Sequence, residues 1–159
     1  MRQDEIQEAV SETLVATGYL AGHLGRLTAR LKDVFPLTRE QIERWSDEER
    51  ETLHAYLRMF EQLQDIMTRR IFRGILMLQN EDATALSARN LFRRLEKVGA
   101  LESADAWIEV NKTRNALVHE YLLDFAQLAS LANAAWSVTP ILLAETARAT
   151  EYLRHEKLI

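Results

Sequence analysis

The sequence has no cysteine. That removes disulfides, zinc–thiolate sites and thiol nucleophiles. Two prolines and five glycines in 159 residues argue against a disordered chain or an all-β fold. Histidine is sparse, and His23, His54, His119 and His155 show no pairing three or four residues apart. His119-Glu120 begins like a zinc-protease helix, but Leu123 stands where the second ligand is required, so no metal is expected. There is no Gly-x-Ser-x-Gly turn to present a serine nucleophile. Gly18, Gly22 and Gly25 lie inside helical pattern and lack a Gly-Lys-Ser/Thr ending, which excludes phosphate-loop nucleotide hydrolysis. No apolar run approaches the roughly 18 residues of a membrane span. The opening Met1-Arg2-Gln3-Asp4-Glu5 is acidic and unlike a signal peptide. A single soluble, cytoplasmic domain over residues 1–159 is expected, with no cofactor and no membrane contact. The net charge of −4 gives no bulk attraction to nucleic acid, although a local basic patch can still hold RNA.

What is present is helical periodicity, over an apolar fraction of 47% that is enough for a core. Ile6, Val10, Leu14, Thr17, Ala21, Leu24, Leu27 and Leu31 mark one face of a first long helix, with acids in its opening turns. Gly18 and Gly22 share a face there, and close approach of another helix is the expected reason for them. Pro36 ends this pattern. Ser46-Asp47-Glu48-Glu49 reads as a capping box before a second long stripe, Leu53 to Leu78, antiparallel to the first. Arg69, Arg70 and Arg73 cluster on its later turns, as a solvated face or as part of a phosphate-tracking surface. A shorter helix is predicted from about Thr84 to Val98, with Gly99 as its left-handed stop. Ser103 caps the next, whose buried face is Trp107, Val110 and Leu117, extending to Tyr121. Asp124 caps a last helix that Pro140 should kink or split. The fold class predicted is all-α, an antiparallel bundle of about five helices.

Chemistry concentrates in Arg114-Asn115-Ala116-Leu117-Val118-His119-Glu120-Tyr121. RNA carries its own nucleophile, the 2′-hydroxyl. A protein that cleaves it needs a group that moves protons near neutral pH, which suits histidine, and a cation matched to phosphoryl oxygens, which suits arginine. On an ideal helix Arg114 and His119, five apart, point about 140° from each other, whereas Asn115 and His119 share a face. One copy makes a poor site; two copies about a two-fold axis bring two arginines and two histidines to one cleft. The plainer reading is that the helix dipole favours Arg and His at a C-terminus and that Tyr121 is core.

The stretch from Arg114 to Tyr121 resembles the Arg-(four residues)-His-x-Tyr motif of HEPN domains, and more narrowly the HepT toxins of HepT–MntA toxin–antitoxin systems. Asn115, directly after the arginine, matches the motif. Leu91-Phe92-Arg93-Arg94-Leu95-Glu96-Lys97-Val98-Gly99-Ala100-Leu101 resembles the helix and turn before the motif helix, and Trp107 with Asn111 to Thr113 resembles the approach to it. The similar portion covers about residues 84–121. The resemblance implies a HEPN-like, homodimeric, metal-independent endoribonuclease whose partner is a small MntA-like nucleotidyltransferase antitoxin, in a hetero-oligomer of unspecified order. It implies that Arg114 binds the scissile phosphate, His119 is general acid or base, Asn115 orients one of them, and Tyr121 accepts AMP from the antitoxin. Many HEPN proteins are described only as non-catalytic substrate-binding partners of nucleotidyltransferases, and the resemblance implies that role as the alternative. Asp65 is a candidate supporting acid that its spacing does not single out.

Overall fold

The computed structural model describes residues 2–119 and 124–159. Among them there is no strand, and the helices are six: α1 (Gln3–Leu31), α2 (Arg39–Arg44), α3 (residues 47–78), α4 (Ala88–Val98), α5 (Ala104–His119) and α6 (Phe125–His155). No helix of the described residues is long and apolar enough to cross a membrane.

Most helix ends form where local chemistry provides for them. Ser46 Oγ accepts from the Glu49 amide and the Glu49 carboxylate accepts from the Ser46 amide, closing the expected capping box at the start of α3. Asp124 accepts from the Gln127 amide to open α6, and Gly99, with φ at +91°, closes α4. Two expectations need correction and a third is narrowed. A sixth, short helix, α2, is present because Thr38 and Gln41 form a capping box of their own. The fourth helix begins at Ala88 rather than near Thr84: Ser87 caps it, while the Thr84 amide and hydroxyl bond back to Asp82 in a local turn. Of the kink or split expected at Pro140, the split does not occur, since α6 runs unbroken from Phe125 to His155.

The glycine expectation also fails. A Cβ at Gly18 or Gly25 would meet nothing within 4 Å, and one at Gly22 only its own helix neighbour Arg26. The helix-to-helix approach is made instead at Gly74, where a Cβ would lie 2.5 Å from Val10 Cγ2.

Helix α3 contains one wider turn. It is α-helical over Asp47–Ile66, π-helical over Met67–Phe72 and α-helical again over Arg73–Leu78. The buried residues Leu63, Met67, Ile71 and Ile75 explain why. Three successive steps of four residues overshoot a 3.6-residue repeat by about 40° each, and a wider turn brings the last of them back to the core.

Long-range bonds fix the directions of the four long helices. Gln3 at the start of α1 donates to the Met77 carbonyl and Asn80 at the end of α3, so these two run antiparallel. Gln64 meets Asn111, and Thr68 meets Trp107, so α5 runs antiparallel to α3 as well. Arg50 stacks over Phe125 at one end and Gln79 bonds Tyr152 at the other, so α6 runs parallel to α3. Helices α1 and α5 therefore flank the α3–α6 pair from opposite sides, each packed on both. The core includes Phe60, Phe72, Phe92, Trp107 and Leu142, all buried.

Candidate functional site

The helix that carries the motif is anchored first at its beginning. Ser103 Oγ accepts from the Ala106 amide at 3.1 Å, as its position predicts. Two carboxylates from other helices add to it. Glu96 Oε2 accepts from the Ala104 amide at 2.7 Å, and the buried Glu145 of α6 accepts from the Glu102 and Ser103 amides at 3.0–3.2 Å. Negative charge against free amides at a helix start is favourable.

One turn on, the fully buried Trp107 ring packs edge-on against Phe72, with centroids 4.8 Å apart, and its Nε1 donates to Thr68 Oγ1 at 3.3 Å. Gln64, also buried, donates to that hydroxyl and to Asn111 Oδ1, both at 2.9 Å. Trp107, Asn111 and Arg114 follow at four- and three-residue steps, so one face of α5 meets α3 at all three.

Arg114 ends this series. Its Nη2 pairs with Asp65 Oδ1 at 3.1 Å, its Nη1 donates to Asn115 Oδ1 at 3.3 Å, and its Nε is buried without a partner among the described residues. Asp65 Oδ1 also takes Arg69 Nε at 2.8 Å. Glu61 lies a turn earlier on α3. Burial pushes its carboxyl above the ordinary range, with the charges of Arg58 and Arg114 opposing that shift. The guanidinium is thus fixed against α3 in the field of two carboxylates.

The structure brings Arg114 and Asn115 together. Asn115 and His119 are both exposed, as residues one turn apart on an outer face should be, and His119 makes no hydrogen bond to a described residue. Tyr121 lies outside the described residues. Of the basic cluster, Arg73 is a structural tie that donates to the Ala83 carbonyl, Arg69 is paired with Asp65, and Arg70 is exposed without a partner among the described residues. These three line a groove beside α1.

Sequence reasoning overlooked Gln64, Thr68, Glu61 and Glu145. For Glu145 the only available signal was a lone acid among apolar neighbours on a core stripe; for Gln64, a polar residue beside Leu63 on one. No group of three or more His, Asp or Glu side chains among the described residues could hold a metal ion. Chemically, the arrangement offers an arginine tied to α3 beside the Asn115 amide, with the exposed imidazole of His119 one turn beyond that amide on the same helix. No family model, no curated protein and no solved structure matches the chain.

Proposed function

We propose that this chain is a HEPN-like, metal-independent endoribonuclease toxin that works as a homodimer and is neutralised by a nucleotidyltransferase antitoxin. The observation that carries this reading is the setting of Arg114. Asp65 holds it from α3, Asn115 bonds it from its own helix, and Asn115 shares an exposed face with His119. A pre-positioned guanidinium is what an anionic phosphoryl transition state requires.

In this mechanism His119 takes the proton from the 2′-hydroxyl of bound RNA, and the freed oxygen attacks the adjacent phosphorus. The bond to the 5′-oxygen breaks, leaving a 2′,3′-cyclic phosphate, and the second copy's histidine protonates the departing oxygen. Arg114 neutralises charge gathering on the non-bridging oxygens. Neutralisation follows when Tyr121 attacks the α-phosphorus of ATP on the partner transferase and pyrophosphate departs. The resulting AMP sets bulk and negative charge near Arg114 and His119.

The test is RNA cleavage in the presence of EDTA. Wild type should cleave, and His119→Ala should lose roughly 10²-fold or more, the scale of a general acid–base group. Equal rates would sink the assignment. A second reading has its own support, because Asp65 and Asn115 already occupy the Arg114 guanidinium. Under it the chain is a non-catalytic partner of a nucleotidyltransferase: it gains AMP by mass when mixed with the transferase and ATP, and no preparation cleaves RNA.

A further inference from the structure

Helix α1 carries a stripe that the rest of the chain leaves uncovered. Its inner face buries Ile6, Val10, Thr17, Leu24, Leu27 and Leu31. On the opposite side Glu8, Glu12, Val15, Tyr19, Arg26 and Arg30 are all exposed, at three- and four-residue steps once Gly22 is counted between Tyr19 and Arg26. That is the spacing of a coiled-coil seam. Val15 is 77% and Tyr19 68% exposed, unusual for large apolar side chains. None of the four charged side chains has an ion pair or hydrogen bond to another described residue, although exposed pairs elsewhere, such as Arg39–Glu43, do form.

The order of the stripe identifies its partner. Acids fill its first third, apolar and small residues its middle, and arginines its last third. About Tyr19 the arrangement is self-complementary: Glu12 and Arg26 stand seven residues to either side, and Glu8 and Arg30 eleven. A parallel copy would set acid on acid and arginine on arginine. An antiparallel copy sets every acid on an arginine, with Val15 beside His23 and Tyr19 on Tyr19 at the axis. Gly22, which meets no other helix, lets the two backbones approach.

The geometry points to a second copy of this chain docking antiparallel along α1, about a two-fold axis at Tyr19. Such a contact is isologous and closes on itself. It lies across the α3–α6 pair from Arg114, so it goes beyond the composite cleft proposed above and is independent of it.

Sedimentation equilibrium of the whole chain tests this. Wild type should associate to at least twice its 18.4 kDa, and more weakly as salt rises. Tyr19→Arg, which sets two cations together at the axis, should halve the mass while helicity is unchanged. Glu12→Arg and Arg26→Glu should each weaken association on the order of tenfold, through two symmetry-related pairs, and the double substitution should restore it. Because the chain has no cysteine, Tyr19→Cys should oxidise to a linked dimer, whereas Glu8→Cys, about 16 Å from the axis, should not. A monomeric wild type, an assembly whose mass ignores Tyr19→Arg, or equal cross-linking of the two cysteine variants overturns the proposal. An assembly mass unchanged in Tyr19→Arg, with cleavage lost only in His119→Ala, would overturn this contact and leave the proposed nuclease untouched.

Discussion

Asp65 and Arg114, 49 residues apart in sequence, are joined by a 3.1 Å ion pair between α3 and α5. Asp65→Ala would leave a largely buried guanidinium without its carboxylate. Urea denaturation should show a loss of about 1–3 kcal/mol. The same substitution in an Arg114→Ala background should cost much less, since the charge it serves is gone. Equal losses in both backgrounds would mean that the pair contributes nothing. If Arg114 acts on phosphate, Asp65→Ala should also slow RNA cleavage, because an untethered arginine no longer presents its fork in one orientation.

Glu145 is expected to matter through backbone rather than charge. It accepts from two amides just before α5. Glu145→Leu fills the space but accepts nothing, and thermal or urea unfolding should register about 2–3 kcal/mol of lost stability. Glu145→Gln keeps one acceptor oxygen and should lose clearly less. A leucine variant as stable as wild type would show that solvent reaches those amides.

Glu61 supplies a pH dependence. Its carboxyl is raised by burial, so the folded chain holds that proton more tightly than the unfolded one. Stability from this group is present below the ordinary carboxyl range and falls as pH rises through and above it. Glu61→Gln removes the titration. The variant should gain on wild type as pH is raised from about 4 to about 7, read as the difference in urea midpoints. A difference that is flat, or that shrinks with pH, would contradict the burial argument.

Two glycine substitutions should differ in sign. Gly25→Ala meets open space and should stabilise α1 by up to ~1 kcal/mol. Gly74→Ala drives a methyl into Val10, whose branched side chain has little freedom to turn aside, and should cost about 1–3 kcal/mol. Val10→Ala should recover part of that loss when the two are combined.

The features legible in the sequence are those whose cause is local. Ser46, Ser103, Asp124 and Gly99 act within four residues of themselves, and each does so where its spacing indicates. Thr38 and Gln41 spell the same capping signal, yet α2 is too short to show a stripe. Asp65 was not legible as a partner of Arg114, because nothing nearby in the chain records which residues of α3 face α5. The glycines of α1 misled for a related reason. A residue without a side chain reports freedom to approach, and only the packing says whether anything does.

The wider turn in α3 has a consequence for both of the surfaces it separates. On one side of it Asp65 must face Arg114, and on the other Gly74 must face Val10. In an unbroken α-helix, taking one residue out of 67–72 would swing everything beyond it by about 100°. The ion pair and the glycine contact could then no longer both be satisfied by one rigid rod. The extra residue acts as a phase adjuster, setting the azimuth of the α1 contact independently of the azimuth of the arginine site.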